Sequence, residues 1–163
     1  MLQKRLFRRL DGARLDGALT LRAITGARPI LRELVGGHRE FRAAGEVAAL
    51  TAGAQRLIDH LCQEFVLGGK SVELLDEPRP HRRRRGRVVY ELHGRCRRDG
   101  SIQVFVRTAV QQRPIAVKSL LDTLLHEFMH HYDFDAFGAS VHCSGFYERL
   151  GQLYRPLRVE VEA

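Results

Sequence analysis

The chain reads as an α+β domain, on three observations. An apolar stripe at helical spacing runs from Val47 to Phe65. Three segments of alternating side chains lie between Ser71 and Thr108. A long apolar run from Pro114 to Tyr132 carries two histidines four residues apart. The order is helix, strands, helix, followed by one more amphipathic helix and preceded by a helical extension.

Taken from the N-terminus, Leu2, Leu6 and Leu10 recur every four residues in a basic context, which predicts a short amphipathic helix. Gly12, Gly17, Gly26, Pro29, Gly36 and Gly37 then punctuate the chain. Residues 1–45 are therefore expected to be helical fragments forming an N-terminal basic extension, with the main domain over 46–163. Val47, Leu50, Ala54, Leu57, Ile58, Leu61 and Phe65 share one helix face, and Gly68-Gly69 ends it.

Strand candidates follow at Ser71–Leu75, Arg87–Arg95 and Ser101–Thr108, each with apolar residues at every second position. Asp99-Gly100 between the last two is a hairpin signal. Pro114 suits a first helical turn. Beyond it, Leu120, Leu121, Leu124, Leu125, Phe128 and Met129 cover much of a helix circumference, so this helix is expected to be buried. The last helix starts near Ser144, with Phe146, Leu150 and Leu153 inward.

At 163 residues and 44% hydrophobic content, one folded domain with a real core is expected. No apolar run is long enough to cross a bilayer, and no apolar region of a secretory signal follows Lys4, Arg5, Arg8 and Arg9. Cys62, Cys96 and Cys143 are odd in number and far apart, which argues for free thiols in a reducing compartment and against a disulfide framework. A cytoplasmic monomer is the expectation. The net charge of +8 predicts attraction to polyanions such as nucleic acid, and nucleoid association would follow from it.

The chemistry concentrates in His126-Glu127-Phe128-Met129-His130. Residues four apart on a helix stack on one face, so His126 and His130 can share one metal ion, and Zn²⁺ is the natural partner of two imidazoles. Glu127, one position along, stands beside such an ion, where a general base takes a proton from water. Zinc lowers the pKa of that water to about 7. Such a pattern also arises by chance, but polar side chains on an apolar helix cost roughly 1–3 kcal/mol each if unpaired, and a metal removes that objection.

A catalytic zinc site needs a third protein ligand. His131 points about 100° away from His130 and cannot supply it. His142, just before the last helix with Ser144 as its expected cap, is the choice; Glu148 is the alternative. Asp133 is expected as an outer partner of a ligand. Tyr132, Tyr147 and Tyr154 are candidate oxyanion donors, with half-buried packing the commoner role. The segment Ile102–Arg107 is a candidate edge strand for pairing with an extended peptide.

Residues 79–113 hold eleven arginines against Glu91 and Asp99. Arg82, Arg83, Arg84 and Arg85 are expected in a loop, and Arg95, Arg97 and Arg98 flank the hairpin turn. Such clusters bind phosphates without reading sequence, or are solvated and partnerless. Tyr90 and Phe105 could stack on bases, although their strand positions favour the core.

Three stretches of this sequence resemble the SprT-like metallopeptidases, the family of bacterial SprT and eukaryotic Spartan. They are Arg113-Pro114 through Leu125, His126 to His130, and His142 followed four residues later by Phe146. The resemblance covers about residues 46–157. It implies a zincin-like core with a small three-stranded antiparallel sheet beside the active helix. It also implies zinc held by His126, His130 and His142, with Glu127 as base and a protein substrate that is associated with DNA. Cys143 stands where the family usually has glycine. The rival expectation is a nucleic-acid-binding protein whose zinc is structural.

Overall fold

Asp16 opens the longest helix of the molecule by accepting the Leu19 N–H at 2.9 Å, and Gly45, at φ 72°, closes it. The computed structural model describes residues 1–162. Helix α1 is Leu2–Gly12, α2 Gly17–Ala44 and α3 Ala48–Glu64. Five strands follow: β1 Val72–Pro78, β2 His81–Arg84, β3 Arg87–Glu91, β4 Gly94–Cys96 and β5 Ile102–Arg107. Helices α4 (Val117–Phe137) and α5 (Ser144–Arg158) complete the chain.

The fragments expected before Gly45 are instead the one continuous helix α2. Its glycines act as points of close approach to α3. A Cβ on Gly37 would lie 2.6 Å from the Leu50 nitrogen, and one on Gly26 would lie 2.4 Å from the His60 ring. Each glycine costs a helix about 0.5–1 kcal/mol relative to alanine. The cost is offset because Leu31, Leu34, Leu50, Ala54 and Leu57 all become buried where the two helices meet. The same hydrophobic core takes Leu10 from α1, the inner faces of α2 and α3, Ile102, Val104 and Val106 of β5, and Phe146, Leu153 and Leu157 of α5.

The three-stranded sheet has the order β1-β5-β4. β1 runs parallel to β5 (Val72 opposite Ile102), and β4 runs antiparallel to it (Gly94 opposite Val104). The sheet is thus mixed, not wholly antiparallel as expected. The hairpin at Asp99-Gly100 turns β5 back between β4 and β1, so β5 has an antiparallel neighbour on one side and a parallel one on the other. Alternation along a strand reports which face is buried and is silent on which partner it takes.

The strand expected over Arg87–Arg95 is broken at Leu92-His93. Leu92 donates its N–H to Pro80 O at 2.8 Å, whereas His93 O accepts from Phe105 N at 3.0 Å, so consecutive residues serve two different partners. Before the break, β3 pairs with β2, where a loop was expected. Arg85 (φ 53°) and Gly86 (φ 75°) both take left-handed backbone, the conformation of the tight turn that matches strand twist. Among the described residues, this ribbon packs against no other helix or strand.

Leu120, Leu121, Leu124, Leu125, Phe128 and Met129 of α4 are all fully buried, as their spacing predicts. The cysteines are free. No helix among the described residues is long and apolar enough to cross a membrane.

Candidate metal centre

Helix α4 stacks the rings of His126 and His130 one turn apart, with centroids 5.0 Å from each other. The chain then leaves α4 through Gly138 and returns at Cys143, where α5 begins, and this short loop delivers His142. Its Nε2 lies 2.9 Å from Nε2 of His130 and 3.1 Å from Nε2 of His126. Four-coordinate zinc with bonds near 2.0–2.1 Å sets its ligand atoms about 3.3 Å apart; both separations from His142 are within a few tenths of an ångström of that, and the three donor atoms all lie within 4.8 Å of one another. Ring nitrogens of three histidines facing one point need a cation or shared protons between them, since neutral rings meet there lone pair to lone pair.

The tautomer is set from behind. His130 Nδ1 is 2.7 Å from Ser140 Oγ, which leaves Nε2 free for the shared point. Asp133, expected as an outer partner, reaches the ring only through Ser140, whose hydroxyl donates to Asp133 Oδ2 at 3.5 Å. His131 turns away, with Nε2 2.7 Å from Gly68 O. Glu148, the alternative ligand, pairs with Arg14 at 2.9 Å on the surface and is not in the cluster.

Ser144 does not cap α5. It is the first helical residue, and the end of α1 does the capping: Asp11 Oδ1 accepts Ser144 Oγ at 2.6 Å and Gly145 N at 2.9 Å. These bonds hold the Asp11 carboxyl below the usual carboxylate range.

The three rings and Glu127 line one cleft of roughly 520 Å³, with β4 along its other side. Burial, and then the neighbouring His142, push His126 down to about 4; burial, followed by His126 and His142, does the same to His130. Both rings are therefore neutral at pH 7, the form that binds metal. Glu127 is only 6% exposed, and burial pushes its carboxyl up to about 7, the range suited to a general base.

Gly94 settles how closely the sheet covers this base. A Cβ there would lie 2.9 Å from Thr123 Cγ2, 2.7 Å from Gln103 O and 3.6 Å from Glu127 Cγ, so only glycine lets β4 lie directly on α4. Nothing in the local sequence pattern marks this glycine. β5 is the central strand, so the segment Ile102–Arg107 has no free edge. The free edge belongs to β4. His93 and Arg97 turn their backbone bonds toward β5, which by antiparallel alternation aims the N–H and C=O of Gly94 and Cys96 outward along the cleft.

Of the three tyrosines, Tyr147 stands beside the cluster, its ring centroid 6.0 Å from that of His142 and 6.3 Å from that of His126. Tyr132 packs edge-on against Phe65, and Tyr154 lies against the core. His93 lines the cleft near Asp122 without joining the three rings.

Arg82, Arg83 and Arg84 lie on β2 and Arg85 in its turn, all exposed; Arg82 sits over the Tyr90 ring at 5.9 Å. Tyr90 is itself 51% exposed, because its strand leaves the sheet, whereas Phe105 is buried as expected. Arg97 and Arg98 form the β4–β5 turn, whose carbonyls are bound by Lys70 Nζ at 2.5 and 2.9 Å. No family model matches this chain, and neither does any curated protein or solved structure.

Proposed function

We propose that the chain is a zinc-dependent endopeptidase of the SprT-like kind, with His126, His130 and His142 as ligands and Glu127 as general base. The observation that carries this reading is the meeting of three imidazole Nε2 atoms in a cleft that also holds a buried carboxyl. Bound there, Zn²⁺ would supply a Lewis acid that polarises a peptide carbonyl and acidifies water.

The chain's own residues do the rest. The neutral rings of His126 and His130 offer lone pairs at physiological pH. Glu127 takes the proton of the attacking water and returns it to the leaving amine, so one water adds across one peptide bond. The outward N–H and C=O of Gly94 and Cys96 can align an extended substrate chain across the reacting point. The Tyr147 hydroxyl is the nearest candidate to steady the oxyanion.

Glu127→Gln tests the assignment. It should lower cleavage of an unfolded protein by at least about 10²-fold while zinc content stays at the wild-type level. A structural zinc site in a nucleic-acid-binding protein has no use for the carboxyl. Wild-type protein that is zinc-loaded and cleaves nothing, with or without DNA, would favour that rival.

The projecting β2–β3 ribbon supports a nucleic-acid partner. Arg82, Arg83, Arg84 and Arg85 are exposed on an arm free of other packing, with Arg95, Arg97 and Arg98 at the other turn. A two-stranded ribbon is narrow enough for a major groove, and guanidinium groups bind phosphate in pairs of hydrogen bonds. Proteins held on DNA are accordingly the substrate class we put forward.

A further inference from the structure

Two chains of hydrogen bonds connect the end of α1 to the histidine cluster. In the first, Arg149 donates Nη1 to Leu10 O at 2.5 Å and to Ala13 O at 3.0 Å, and Nη2 to both oxygens of Asp133 at 2.9 and 3.1 Å. Both side chains are fully buried. Ser140 Oγ then stands between the two groups, a long 3.5 Å from Asp133 Oδ2 and 2.7 Å from His130 Nδ1. In the second, Asp11 holds the first turn of α5 through Ser144 and Gly145, two and three residues beyond His142. Contact here is tight, since a Cβ on Gly145 would lie 2.3 Å from Asp11 O and 2.5 Å from Leu10 O.

A buried ion pair is weak evidence of stabilisation, because desolvation consumes most of the Coulomb gain. What the Arg149–Asp133 pair supplies is register: one guanidinium ties α1, α4 and α5 together. Register matters because Ser140 and His142 both sit in the loop between α4 and α5, outside any helix. Among the described residues, the only hydrogen-bond partners of the His142 ring are the other two histidines. Its place therefore depends on where α5 begins, and Asp11 fixes that.

We infer that the end of α1 is a positioning element of the metal centre, orienting His130 through Arg149, Asp133 and Ser140 and placing His142 through Asp11. This rests on the zinc reading above. Outer-shell partners of metal-bound histidines typically change affinity by about 10- to 100-fold when removed.

The test uses the full chain and zinc alone, with affinity from chelator competition and the visible spectrum of the Co²⁺-substituted protein as a second readout. Ser140→Ala and Asp11→Ala should each weaken zinc by about 10- to 100-fold and alter the Co²⁺ bands. Ser140→Thr and Asp11→Asn, which keep a hydroxyl and an accepting oxygen, should restore both. Arg28→Ala, which removes an exposed pair with Glu160 away from the end of α1, should change neither. Wild-type affinity in both alanine variants would overturn the inference and leave the zinc reading standing. An equal loss in Arg28→Ala would overturn it as general loosening. Absence of zinc binding by the wild type would sink both readings.

Discussion

His142 and His130 are twelve residues apart and belong to different segments, yet their Nε2 atoms lie 2.9 Å from each other. Two rings on one helix turn are a common packing accident; a third ring aimed at the same point from a loop is not. The arrangement turns a helix surface into a donor set with one open side, and that side faces the cleft of Glu127.

Zinc binding should release a proton from Glu127. In the metal-free protein this carboxyl titrates near 7, raised by burial, so it is mostly protonated at pH 6.0. His126 and His130, pushed down to about 4, are already neutral there and release nothing. A dication in the cleft favours carboxylate and lowers the pKa. Calorimetry in two buffers of different ionisation enthalpy should show that wild type releases close to one more proton than Glu127→Gln at pH 6.0. The difference should shrink toward zero by pH 8.5, where the carboxyl is already ionised. Equal release at pH 6.0 would contradict the assignment.

Two adjacent glycines of α2 should respond oppositely to alanine. At Gly36 an added Cβ meets nothing within 4 Å, so Gly36→Ala should stabilise by about 0.5–1 kcal/mol through helix propensity. At Gly37 the same methyl meets backbone of Ala49 and Leu50 at 2.6–2.8 Å, which neither helix can yield cheaply. Gly37→Ala should destabilise by about 1–3 kcal/mol. Urea denaturation of the pair reads the contrast directly, and a stabilising Gly37→Ala would mean that α2 and α3 are farther apart.

Replacing Arg82, Arg83, Arg84 and Arg85 together by serine should weaken DNA binding and flatten its dependence on salt. Each phosphate contact contributes about 0.9 to the slope of log affinity against log salt for duplex DNA, so loss of three or four contacts is measurable. Titrations at two salt concentrations check it. A slope unchanged by the substitutions would remove the ribbon from the interface.

The residues of the candidate site were legible because their signals are local. Spacing of four puts His126 and His130 on one face, Asp133 falls on that face one turn further, and His142 precedes a helix start. The supports of these residues were not legible. Asp11 caps a helix 133 residues away, and Arg149 meets its carbonyl partners at a comparable separation. Gly37 reads as a breaker until its neighbour Leu50 is known. The arginine run reads as loop because its strand is exposed on both sides and carries no alternation; Gly86, following Arg85, was the one hint of a turn. Sheet order failed for a different reason: the sheet is closed by a strand returning between two others, and no pattern within a strand encodes its neighbours.

Zinc content of purified wild type and His142→Ala, measured by elemental analysis after dialysis, decides whether the three rings hold an ion. One zinc per chain is expected in the wild type and its loss in the variant, with the helical content of both proteins alike. A wild type without zinc, or a His142→Ala protein that keeps a full equivalent, would contradict the zinc reading.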